Sequence, residues 1–149
     1  MEAEQGSRFD GLIRRAGIPD AQSIVRLIRQ LGDDSDVDEA YVRQYLSGRD
    51  RDILLAAREG AVLGLLSYSV RADLYHAGNS VLIEELVVDR EYRGQGIGDA
   101  LMRSFFGLLP SLGCREVCLA VMPENEGAIR FYQRHGLVEE ALFLEKHFR

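Results

Sequence analysis

Apolar residues recur at helical spacing across residues 19–31, at Ile24, Leu27, Ile28 and Leu31, and predict an amphipathic helix. Pro19 suits its first turn and Gly32 its end. A polar turn follows, Asp33-Asp34-Ser35-Asp36, with Asp36 positioned to cap a second helix that runs to Leu46 and closes at Gly48. Upstream, residues 11–16 can form a short first strand. Residues 52–58 and 61–70 are apolar runs split by Glu59-Gly60, a hairpin signal. Residues 71–79 read as a loop and 80–88 as a central strand. Ile97, Leu101, Phe105 and Leu108 make one stripe of a helix over 96–109, and Pro110 follows it. A fifth strand is expected over 116–121, a fourth helix over 126–135 with Gly136 as its left-handed cap, and a short last strand over 142–147.

Length and charge narrow this picture. A chain of 149 residues suits one domain, expected over 11–149, behind a polar, frayed tail over 1–10. No apolar run reaches the ~20 residues of a membrane span, and the N-terminus shows no signal-peptide core. Neither a membrane nor a nucleic acid is expected as a partner, the latter because the net charge is −6. Cys114 and Cys118, four residues apart, have no further ligands at metal-site spacing, and His76, His135 and His147 supply none. No metal is therefore expected. Two reduced cysteines fit a cytoplasmic protein.

Candidate chemistry is concentrated in Arg93-Gly94-Gln95-Gly96-Ile97-Gly98, between the central strand and the helix that follows. Helix-start N–H groups have no partner within the helix, and the helix dipole adds partial positive charge there. Glycines let the backbone approach an anion closely, so a strand, a glycine turn and a helix start together suggest a phosphate site. The spacing excludes the dinucleotide fingerprint: the third glycine position falls on Asp99 or Leu101. It also excludes a P-loop, because the only lysine is Lys146.

The segment from Leu86 through Arg90-Glu91-Tyr92 to Gly98 resembles the acyl-CoA signature of the GNAT superfamily of N-acetyltransferases. A second segment, Asn125-Glu126-Gly127-Ala128-Ile129-Arg130-Phe131-Tyr132-Gln133-Arg134-His135-Gly136-Leu137, resembles that family's other motif, N-x-x-A-x-x-x-Y-x-x-x-G-[FL]. The resemblance is clear over about 53–148 and weaker over 11–51. It implies an α/β (α+β) fold: a mixed, mostly antiparallel sheet of six to seven strands flanked by about four helices.

The resemblance also implies acetyl-CoA as co-substrate, held where two central strands splay apart. The backbone of Leu86, Val87 and Val88 would pair with the pantetheine arm. The turn formed by Arg93, Gly94, Gln95, Gly96, Ile97, Gly98 and Asp99 would cradle the pyrophosphate. On the second motif, Ala128 falls in the cofactor-binding stretch, and Asn125 either bonds pantetheine or only caps its helix. Tyr132 would protonate the departing thiolate; a packed aromatic like Phe131 is the other reading. Glu84 is the candidate base for the acceptor amine. Strand alternation is expected to send Glu84 and Glu85 to opposite faces, with Glu84 in phase with Leu82 and Leu86. Tyr75 and His76 either border the acceptor pocket or are loop surface, and the acids over 33–39 either attract a cationic amine or form a solvated turn with favourable helix-start acids. The expected activity is transfer of acetyl to a primary amine of a small molecule or peptide. The alternative is a non-catalytic acyl-CoA sensor on the same fold. A homodimer through the edge of the last strand is also compatible.

Overall fold

A computed structural model of the chain describes residues 9–148. Its five strands, in chain order, are β1 (Leu12–Arg15), β2 (Arg51–Arg58), β3 (Ala61–Asp73), β4 (Gly78–Val88) and β5 (Cys114–Leu119). They lie side by side in that same order. The first four pair antiparallel, and β5 pairs parallel to β4. The helices are α1 (Ala21–Arg29), α2 (Glu39–Leu46), α3 (Ile97–Leu108) and α4 (Glu126–Arg134).

The sheet separates two cores. On one face α1 and α2 bury Ile24, Leu27 and Val42 against Ile53, Leu55, Leu65 and Val87. On the other, α3 buries Ile97, Leu101, Met102 and Phe105 against Leu54, Leu66, Val81 and Ile83. Phe131 and Tyr132 of α4 pack onto this second cluster. Each strand therefore alternates between two apolar layers, which is why β2 and β3 read as near-continuous apolar runs.

Several boundaries differ from expectation. α2 starts at Glu39, and its cap is Asp38, whose carboxylate accepts from Tyr41 N at 2.8 Å; Asp36 lies two residues too early. The loop expected over 71–79 is mostly ladder: Arg71, Ala72 and Asp73 pair with Ser80, Asn79 and Gly78. Cross-strand pairing outweighs the polar composition there, and Ala77 takes the turn at φ 51°. β5 begins at Cys114, directly after Gly113 at φ 61° ends the preceding 3-10 turn. Met102 is fully buried where Leu108 was expected to be, while Leu31 falls beyond α1 and is exposed.

The sheet has five strands rather than six or seven. Residues 142–147 form no strand, and Leu142 and Leu144 are 91% and 89% exposed. An alternating apolar segment becomes a strand only against a partner edge, and among the described residues this one has none. Most of the tail expected over 1–10 lies outside the described residues. Phe9 packs against the α3 core, and the Asp10 carboxylate sits 3.0 Å from Arg58.

Candidate active site

The β4–β5 ladder runs from Asn79–Cys114 to Ile83–Leu119 and stops, while β4 continues to Val88. A gap therefore opens along the last residues of β4. On its other side β4 stays paired: Leu86, Val87 and Val88 oppose Leu66, Leu65 and Gly64. The Val87 carbonyl faces β3, since a Cβ placed on Gly64 would stand 3.0 Å from it. Residues along a strand alternate in hydrogen-bonding direction. The peptide groups of Leu86 and Val88 thus face the gap, and Arg93 Nε reaches the Val88 carbonyl at 3.4 Å.

The gap leads into the glycine turn. Gly94 and Gly96 hold φ of 79° and 80°, backbone that favours glycine. Gly96 is the N-cap of α3, so the N–H groups of Ile97, Gly98 and Asp99 fall in the first helical turn. Gln95 is tied by its side chain to Arg58 at 3.4 Å.

Beside the turn lies α4. A Cβ on Gly98 would meet the Phe131 ring at 3.3 Å, so glycine permits the close approach of α3 to α4. Asp99 Oδ1 and His135 Nε2, 2.7 Å apart, join the two helices again. Asn125 caps α4, its Oδ1 accepting from Ala128 N at 3.2 Å. The capping role is thus present, and the amide NH2 is not used by it. Tyr132 packs edge-on to Phe131, with ring centroids 5.3 Å apart. Burial pushes its phenol pKa up, so it stays protonated at neutral pH.

Beneath the whole arrangement, Asp89 is a buried anchor that the sequence did not reveal. Burial alone would raise its pKa. Arg26 at 2.5 Å, the Glu91 N–H and Gln30 together hold it below the ordinary carboxylate value. Gln30 Oε1 also accepts from Arg90 N at 3.0 Å. Asp89 so ties α1 to the chain that leaves β4 for the glycine turn.

Glu84 lies on the other side of the sheet from Tyr132. Tyr68 pairs with Ile83 and Ser67 with Glu85, which leaves Glu84 as an extra residue, a β-bulge. The expected alternation fails at this point. Glu84 and Glu85 both line one cavity of about 640 Å³ between α1, α2 and the sheet. Leu82 and Leu86, expected in phase, are separated by the bulge and face opposite layers. The Tyr45 hydroxyl sits 3.1 Å from Glu84 Oε2 and 3.3 Å from the Tyr68 carbonyl. Burial, then the negative charge of Glu84, pushes the Tyr45 phenol pKa far up. Glu85 accepts a very short hydrogen bond from Ser67 Oγ. Its pKa is raised by burial, against the Ser67 bond that lowers it and with help from Glu84. Nothing in the local sequence marks the bulge, so neither Ser67 nor Tyr45 could be found from it.

His76 belongs to neither site. Its Nδ1 is 2.6 Å from Asp73 and its Nε2 3.4 Å from Glu116, so it braces the β3–β4 hairpin against β5. Tyr75 beside it is almost fully exposed.

The sequence profile of the acetyltransferase (GNAT) family matches residues 21–137, spanning both cores, the glycine turn and α4. The chain belongs to this family. It is a GNAT acyltransferase, with the family's mixed sheet flanked by helices. Thialysine N-epsilon-acetyltransferase of Sus scrofa is 29% identical over 140 residues, covering 84% of this chain and 82% of that one. Among solved structures, a putative acetyltransferase from Agrobacterium tumefaciens superposes with a TM-score of 0.84 at 20% identity, covering 92% of this chain and 99% of that one. An aminoglycoside acetyltransferase from an uncultured soil metagenomic sample, in complex with sisomicin, gives 0.78 at 21%, covering 93% and 95%. These two likenesses concern the fold. No helix of this GNAT protein is long and apolar enough to cross a membrane among the described residues.

Proposed function

We propose that this acyltransferase moves the acetyl group of acetyl-CoA directly to a primary amine. The observation that carries the reading is the parting of β4 from β5 after Ile83, next to a turn with two left-handed glycines. That geometry fits a pantetheine arm bound as a strand and a pyrophosphate bound at a helix start. The peptide groups of Leu86 and Val88 would meet the arm, with the Asn125 amide as a further partner beside Ala128. N–H groups from Gly94 to Asp99 would receive the pyrophosphate, with Arg93 adding positive charge.

Acetyl-CoA supplies an acyl group already activated as a thioester. Tyr132 would hold a proton for the leaving sulfur, since burial keeps the phenol neutral. In the cavity across the sheet, Glu84 would receive the proton that the acceptor ammonium must lose, directly or through the Tyr45 hydroxyl or a water. Glu85, its pKa raised by burial, lies beside Glu84 and is hydrogen-bonded to Ser67 Oγ. Thialysine and sisomicin, named for the relatives, both point to amine-bearing small molecules as the acceptor class. Two free thiols, Cys114 and Cys118, support a reducing, cytoplasmic setting.

The test is free-thiol release from acetyl-CoA against a panel of amines, with calorimetric titration of acetyl-CoA alongside. Binding and amine-dependent thiol release are expected. Binding without release by any amine would leave a sensor, and absence of binding would remove the cofactor assignment.

A further inference from the structure

We infer that the acceptor is a linear aliphatic amine with at least two ammonium groups, lying along the α2 cavity. Its reacting nitrogen sits at the Glu84–Glu85 bulge and a second ammonium at Asp36 and Asp38. The inference rests on the N-acetyltransferase reading and adds the class of acceptor to it.

Charge is the first support. Asp36, Asp38, Glu84 and Glu85 all line the one cavity, and no arginine, lysine or histidine does. Two arginines close to the lining are already hydrogen-bonded to backbone carbonyls. Arg29 donates to the Val37 carbonyl at 3.3 Å. Arg51 donates to the Tyr45 carbonyl at 3.0 Å and lies over the Tyr45 ring. A concave site with carboxylates of one sign and apolar walls concentrates its field and favours a multiply charged cation over a singly charged one.

The placement of those acids is the second. Asp38 is the N-cap of α2, and Asp36 lies just before it. Tyr45, in the last turn of the same helix, places its hydroxyl 3.1 Å from Glu84. Tyr45 lies seven positions after Asp38 along α2, a rise of about 10 Å. The carboxylates therefore form two groups at the two ends of α2 rather than one cluster. A molecule with a single ammonium can satisfy only one of them.

What lies between the two groups is the third. Ile24, Ile28, Val37, Val42, Ile53 and Leu65 line the same cavity. A run of methylenes can cover such a wall, whereas a hydroxyl-rich ring would leave polar groups unpaired against it. A volume of about 640 Å³ is ample for an extended chain of that kind.

The transfer balances simply. The amine nitrogen, after giving one proton to Glu84, bonds to the thioester carbonyl carbon, and the carbon–sulfur bond breaks. Sulfur leaves with one proton from Tyr132, the second proton lost by the nitrogen restores that phenol, and Glu84 returns its proton to solvent. The products are a mono-N-acetylated amine, which keeps its distal ammonium, and the free thiol of coenzyme A.

Steady-state thiol release from acetyl-CoA on the full chain tests this with 1,6-diaminohexane and n-hexylamine as the matched pair. The diamine should show a kcat/KM higher by about threefold or more, mostly through KM, as one additional ion pair to exposed carboxylates would give. Asp36→Asn should raise the diamine KM and bring the ratio towards one, leaving n-hexylamine unchanged. Asp36 is exposed and makes no capping bond, so the variant should fold normally, checked by its melting curve. Equal efficiency of the two amines, or a ratio untouched by Asp36→Asn, overturns the inference. So does a panel in which sugar amines or amino acids react and the diamine does not; in that case the N-acetyltransferase reading survives. Absence of thiol release with every amine tested overturns both together.

Discussion

Tyr132 packs its ring against Phe131 and the α3 core, while its hydroxyl makes no hydrogen bond among the described residues. Tyr132→Phe keeps that packing and removes only the proton. We expect kcat to fall by ~10²–10⁴-fold with acetyl-CoA affinity nearly unchanged, read by steady-state kinetics and calorimetry. Glu84→Gln keeps the shape and the contact with Tyr45 but cannot take a proton. Its loss of kcat should shrink as pH rises, because more of the acceptor then arrives neutral; a loss constant across pH would mean that Glu84 is not the base. Asp89 offers a stability test with a definite sign. Its folded pKa lies below the ordinary 3.8, so its contribution is present above about that pH and is lost as pH falls through the depressed value. Asp89→Asn should cost about 1.5–3 kcal/mol at pH 7, the usual worth of hydrogen bonds to a charged group. The difference from the unmodified chain in urea unfolding should vanish in strong acid. Tyr132 could be singled out as a candidate because its motif fixes the residue type at that spacing. Asp89 was not, because Arg26 and Gln30 lie 63 and 59 positions away.

Among the elements, the junction of β4, the glycine turn and α3 was the most readable. An apolar run, two glycines and an amphipathic stripe all point to strand, turn and helix. Gly96→Val would place a β-branched side chain at φ 80°, a conformation that costs a non-glycine residue roughly 1–2 kcal/mol. It should lower both stability and acetyl-CoA affinity, whereas Arg90→Ala should remove only screened surface charge. Equal losses of affinity in titrations of the two variants would take the phosphate away from this turn. The β3–β4 hairpin was less readable. Its polar end from Arg71 to Asn79 is held by ladder partners and by the Asp73–His76 pair, neither of which depends on local apolar pattern. The segment over 142–147 shows the converse: its alternation is suited to a strand, but no edge meets it.

At the scale of the molecule, the sheet forms a wall with a different chemistry on each side. Tyr132 and the glycine turn lie on the α3 side, and the acidic cavity on the α1–α2 side. The β4–β5 ladder ends at Ile83–Leu119, one residue before the bulge at Glu84. If the open edge and the turn bind acetyl-CoA in the native state alone, stability should rise by RT ln(1 + [L]/Kd), about 2.7 kcal/mol at a hundredfold excess over Kd. A melting scan with and without millimolar acetyl-CoA reads this directly, and an unchanged Tm would count against the site. The presence of both walls could be anticipated from two kinds of helix stripe, but the gap beside β4 could not, since it depends on where a ladder stops. The single residue inserted at Glu84 sets the parity of everything downstream of it. Were β4 to run through Glu84 in regular pairing, with no bulge, the count would shift by one. Glu85 would move to the α3 layer, Val87 would leave the α1 core, and the peptide group turned to the open edge would belong to Val87 instead of Leu86 and Val88. A slip of one position would then exchange inside for outside along half the strand, disabling the proposed acceptor and acyl-donor sites together without touching either motif.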